Sequence, residues 1–113
     1  MLGVVLALTA CASVPPPTSE LAAAQQAVSR ANDADAEQYA VHDLAQARQA
    51  LRLAQSAMAS GRNADALMLA RQASANADLA TAHSKEAVAN TELAQRRAEV
   101  ADLRQRLGME GGQ

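Results

Sequence analysis

The chain contains no tryptophan and no phenylalanine, and Tyr39 is the sole aromatic among 113 residues. A thick core of large rings is therefore excluded. Cysteine is equally scarce. Cys11 has no second cysteine for an intramolecular disulfide. One thiol is also too few for a structural zinc site, and neither His42 nor His83 stands at ligand spacing from it. Proline occurs only as Pro15, Pro16 and Pro17, and Lys85 is the single lysine. A net charge of −2 lacks the basic excess that nucleic-acid binding needs. No Ser-His-Asp arrangement, Gly-rich phosphate loop or paired metal ligands is present, so no catalytic residue, metal, cofactor or small-molecule substrate is expected.

What is abundant is alanine, with 30 residues. Alanine is the strongest helix former and buries little surface. A chain of this size supports one domain at most, and long helices in close contact suit it better than a bulky core.

Leu2 to Leu8 is an apolar run too short to span a bilayer as a helix, and of the kind found in a signal-peptide core. It ends in Leu8-Thr9-Ala10-Cys11, which resembles the lipobox of bacterial lipoproteins: a leucine, two small residues, then cysteine. The resemblance implies a diacylglycerol on the Cys11 thiol, cleavage before Cys11 and acylation of the new amino group. Several acyl chains give stable anchoring where one is marginal. A signal peptide opens with positive charge, yet no Lys or Arg precedes Arg30, so its start is expected upstream of Met1. Position two of the mature chain is Ala12, and by resemblance to enteric sorting rules the absence of Asp there implies the outer membrane. "VPPP" (Val14 to Pro17) favours an extended polyproline spacer. Residues 1–10 thus read as signal peptide and 11–18 as lipidated cysteine and linker.

Residues 19–107 read as an Ala-rich helical domain and 108–113 as a flexible tail. Thr18 and Ser19 supply a polar cap and Glu20 an acid in the first turn, so a helix starts near Glu20 and fades in "NDADAEQYA". A second starts near His42 or Asp43, with Ala40, Leu44, Ala47, Leu51, Ala54 and Met58 on one face. Gly61 is the expected left-handed cap, and Asn63 caps the next helix. From Ala64 to Leu107 no Pro or Gly occurs, which predicts one long helix stopped by Gly108. Its seam is Ala66, Ala70, Ala73, Ala77, Ala80, Ser84, Ala87, Thr91, Ala94, Ala98 and Ala101, spaced four and three, as in a left-handed supercoil. Leu93, Val100, Leu103 and Leu107 form a neighbouring stripe, with Glu92–Arg96 and Asp102–Arg106 as i,i+4 pairs. The predicted fold is all-α: a three-helix antiparallel bundle or hairpin with a long, protruding C-terminal helix. The last turns outrun the other helices, and the stripe is expected to meet a partner.

"LAAAQQAVSRA" (from Leu21) echoes "LAQARQALRLA" (from Leu44), and the hairpin around Gly61 has tetratricopeptide-like packing without the full repeat pattern. Together with "EQYAVHDLAQARQALRLAQ" and "GRNADALMLARQASANADLA", the mature chain resembles the bacterial lipoprotein family called domain of unknown function 4398. The Tyr39-Ala40 pair and Gly61 carry most of the resemblance. Members usually have Pro after that pair, where this chain has Val41. Some relatives continue into a peptidoglycan-binding domain, and none is expected here.

The expected role is a non-enzymatic envelope lipoprotein on the periplasmic face of a Gram-negative outer membrane. It is held at Cys11 and presents a helical scaffold to another envelope protein or a second copy. The alternative is an alanine-zipper structural lipoprotein that self-associates. Wall-linked members of that type end in lysine, whereas this chain ends "GMEGGQ".

Overall fold

The computed structural model describes residues 12–111, which are mostly helical (88%) with no strand among them. Four helices follow in order: α1 (Thr18–Asp33), α2 (Ala36–Tyr39), α3 (Val41–Ala59) and α4 (Asn63–Gly111).

Backbone groups, more than side chains, define the helix ends. Pro17 stands at the N-cap of α1, where its carbonyl accepts from the Leu21 N–H at 3.0 Å. The polar cap expected from Thr18 and Ser19 is not formed. The Ser19 hydroxyl instead donates to the Glu20 carboxylate at 2.8 Å, and holds that carboxyl below its ordinary pKa. At the end of α1, Asp35 adopts a left-handed conformation (φ 60°) and its N–H reaches the Asn32 carbonyl at 3.0 Å. Aspartate tolerates this region better than most residues. The reversal lets a single extra turn, α2, form where the sequence pattern predicted only fading. α3 starts at Val41, slightly ahead of His42. Val41 is thus the first helical residue, the position at which proline's fixed φ is most welcome.

Gly61 performs as expected. With φ 74° it sits just past the Ser60 C-cap, its N–H bonded to the Met58 carbonyl and the Arg62 N–H to the Ala57 carbonyl. These two bonds are the Schellman closure that satisfies the last carbonyls of α3. No atom lies within 4 Å of where a Cβ would stand at Gly61, so conformation rather than space selects glycine. Asn63 does not cap α4 as expected. Its side-chain amide donates to the Val14 carbonyl at 2.9 Å, and the Arg62 carbonyl receives the Ala66 N–H. At the far end α4 continues through Gly108 to Gly111, past the predicted stop at Leu107 and into the segment read as a tail. A running helix gains one bond for each residue it fixes, and a glycine weakens that by only ~1 kcal/mol.

α1 and α3 pack along the first half of α4, with α2 at the corner. α1 runs in the same direction as α4. Val14 bonds to Asn63, and the Arg30 guanidinium meets the Asp78 carboxylate at 3.2 Å, so both elements advance together. α3 runs the other way, from the Asp43–His83 contact at 2.6 Å back to the Gly61 turn.

Of the 17 buried apolar side chains, 14 are alanine, the others being Leu21, Val28 and Leu44. On α3 the predicted Ala40, Leu44, Ala47 and Ala54 are buried. Leu51 and Met58 are half-buried and pack over the core as flanks. Ala50 and Ala57 are buried as well, because a helix clasped between two others hides a wider arc than a single seam. On α4 the seam from Ala66 to Ser84 is fully buried. Each methyl contributes little by area, but small side chains let helix axes approach closely and backbone atoms join the contact. Arg48 ties the corner by reaching both Asn32 at 2.7 Å and the Glu37 carboxylate.

Such a core has no room for growth. Ala77→Leu is expected to lower unfolding free energy by ~1–3 kcal/mol through overpacking, while Ala75→Leu on the exposed face of α4 changes it little. Urea titration followed by helical circular dichroism compares the two. Ser84 is the exception in the seam: it is fully buried and its hydroxyl has no hydrogen-bond partner. Ser84→Ala should therefore raise stability by ~1 kcal/mol in the same titration.

Candidate functional site

The two ends of the packed region differ in kind. At the first, the linker arrives beside the α3–α4 turn: the Val14 carbonyl is held by Asn63 and Pro17 is buried at the head of α1. Leu8, Thr9, Ala10 and Cys11, which carry the lipobox resemblance, lie outside the described residues. The chain re-enters description at Ala12, two residues short of the Val14 contact.

At the opposite end, α1 reverses through Ala34 and Asp35 and α4 continues alone. The departure point forms an open groove of about 490 Å³ between the α1–α2 corner and α4. Its charge is mixed, with Arg30 and Lys85 against Asp33, Asp35 and Glu92. Nothing in that arrangement concentrates one charge or aligns a nucleophile with a base.

Beyond the groove the seam changes character without changing sequence. Ala87 is half-buried, and Thr91, Ala94, Ala98 and Ala101 are exposed. Leu93, Val100, Leu103 and Leu107 are also exposed, from 44% to 65% of their surface, and Met109 with them. Successive stripe residues are seven, three and four apart, which keeps them on one face of α4. That face lies about 150° around the helix from the seam, given 3.6 residues per turn, so the stripe is not the neighbour of the seam that the spacing suggested. The free half therefore carries a small-residue stripe continuous with the packed core and a leucine stripe nearly opposite to it. Arg97 and Arg104 stand between them.

The ion pairs on the free half are partly those expected. Asp102 and Arg106 meet at 2.9 Å. Arg96 does not pair with Glu92: its guanidinium lies 3.7 Å from Glu99, one turn further along. Both partners lie within reach on an α-helix, i,i+3 as well as i,i+4. Glu92, Arg97 and Arg104 make no ion pair among the described residues.

The histidines are structural in their contacts. The His83 imidazole joins the Asp43 carboxylate across α3 and α4, and His42 shares a hydrogen bond with Gln46 one turn on. The sequence pattern placed Asp43 at a helix start, where it is. Its bond to His83, 40 residues away, depends on the rotation of α3 against α4 and had no local signal. Among the described residues no cluster of three His, Cys, Asp or Glu side chains could hold a metal ion. No helix there is long and apolar enough to cross a membrane.

The geometry, then, is a helical body with its linker at one end and a bare, two-striped helix at the other. Residues 19–96 match the domain of unknown function DUF4398, covering the packed region and the first turns of the free half. No curated protein and no solved structure matches the chain. The match takes in more than half of the chain, including the Tyr39-Ala40 corner and the Gly61 turn, and the protein belongs to the DUF4398 family.

Proposed function

We propose that the protein is a non-enzymatic cell-envelope lipoprotein, anchored by lipid on Cys11 at the periplasmic face of the outer membrane. In this reading residues 1–10 are the signal peptide and the Pro-rich segment is a short tether. α1, α3 and the first half of α4 form a three-helix bundle that acts as a rigid base. Its business end is the free half of α4, offered to another envelope protein or a second copy.

The observation that carries the reading is the polarity of the body. Cys11 precedes Val14 by three residues, and Val14 is bonded at the α3–α4 turn. An anchor there would hold that turn near the bilayer, with α4 directed outward. The 49 residues of α4 span ~73 Å at 1.5 Å per residue, so its tip would stand well clear of the headgroups. The lipobox resemblance, the apolar run before it and the three prolines after it support the anchor. The leucine stripe, bare on a helix end that no other described residue covers, supports a docking role over catalysis.

Intact-mass spectrometry tests this on protein purified from bacterial membranes after expression with its native upstream region. The expected species begins at Cys11 and carries the mass of added acyl chains, and Cys11→Ser leaves an unprocessed form without them. A membrane fraction holding only an unmodified chain that retains Met1 would overturn the proposal.

A further inference from the structure

We infer that the free half of α4 pairs with the same segment of a second copy of this chain, as a parallel, in-register, two-stranded coiled coil. The inference deepens the reading of that helix as an interaction surface by naming its partner. Starting from the leucine stripe, Glu86, Leu93, Val100 and Leu107 fall at heptad position a, and Ala89, Arg96 and Leu103 at position d. The same frame continues back to Leu79 and Ala82, both exposed on the outer face of α4. The frame thus spans four heptads from Leu79 to Leu107, with seven of its nine a and d positions apolar.

Charge chooses both the partner and its direction. The frame puts Glu92 and Glu99 at position g, and Arg97 and Arg104 at position e. In a parallel pair each g residue faces the e residue of the next heptad on the other helix. Glu92 then meets the partner's Arg97, and Glu99 meets the partner's Arg104, with both contacts repeated by symmetry. These include Glu92, Arg97 and Arg104, three charges of the free half that make no ion pair among the described residues. An antiparallel pair would set e against e and g against g, bringing arginines to arginines and glutamates to glutamates. Like charges so placed oppose association.

The rest of the fold admits this pairing. From Leu93 to Met109 every α4 residue is exposed, so a second helix can approach the stripe there, while nearer the body Ala89 and Glu92 line the groove beside the α1–α2 corner. Two copies anchored in one membrane would also point their α4 helices the same way. Glu86 at position a and Arg96 at position d are the unfavourable elements, and Glu86 lies at the body end of the frame, where its carboxylate is exposed. For Arg96 the strand number matters. In a two-stranded coil its long stem can lie along the seam with the guanidinium in water, beside Glu99, whereas a three-stranded core would enclose it. A polar residue at such a position sets register and strand number at some loss of stability.

The test uses the full chain with Cys11→Ser, so that no native thiol can crosslink, in sedimentation velocity over a concentration series. A concentration-dependent dimer is expected. Val100→Glu should leave a monomer with unchanged helix content, since Val100 touches no other part of the body. Arg97→Glu with Arg104→Glu should abolish the dimer, as should Glu92→Arg with Glu99→Arg, and mixing the two double variants should restore it. Leu93→Cys, introduced in the same background, should oxidise to a disulfide-linked dimer only if the strands are parallel and in register. A parent chain that stays monomeric throughout, a trimer, or a dimer indifferent to both charge reversals would overturn the inference. Acyl mass on Cys11 is read separately, so failure here and failure of the anchor are distinguishable.

Discussion

Most of the helix contact in the body passes through a surface whose side chains hardly exceed a methyl group. That constraint shapes the rest of the molecule. Without large rings, the chain gains stability from proximity: flat alanine faces let α1 and α3 lie close on α4, so backbone and Cβ atoms make the contact that phenylalanine or tryptophan would make elsewhere. Flanking residues such as Leu51, Met58 and Leu69 then cover the seam from its edges. Polar ties at the margins, Arg30 to Asp78 and Arg48 to Glu37, add direction more than energy, since exposed ion pairs of this kind each contribute only ~0–1 kcal/mol.

The same seam explains why α4 can leave the body and remain a helix. Its free half is rich in alanine, leucine, glutamate, arginine and glutamine, all strong helix formers, and it grows from a packed helix that removes the cost of nucleation. The seam itself does not stop where α1 ends. Ala94, Ala98 and Ala101 repeat the spacing of Ala73, Ala77 and Ala80, and differ only in having nothing laid against them. Burial along α4 is decided by the length of its neighbours: 16 residues in α1 and 19 in α3 against 49.

Much of this was legible in residue spacing. The small-residue repeat identified the buried face of α4 as far as Ser84, Gly61 marked the hairpin, and unbroken helix formers implied a helix longer than its companions. Features that rest on exchange between competing donors and acceptors were not legible. Asn63 could bond its own helix or the linker, and it holds Val14. Arg96 had two acids within one turn and lies nearer Glu99. Asp35 lacks the usual glycine signal for positive φ, so the short α2 turn was hidden. The face of α3 came out wider than predicted because periodicity finds a stripe, while enclosure by two neighbours buries an arc.

The molecule is directional: the linker lies at one end of the body and α4 projects from the other. Spin labels at Ser13→Cys and Met109→Cys, in a Cys11→Ser chain diluted with unlabelled protein, measure it directly by pulsed electron resonance. Because Val14 is bonded at Asn63, a straight α4 predicts a separation of about 70 Å. A distance under about 40 Å would mean that the free half folds back along the body, and would contradict the account.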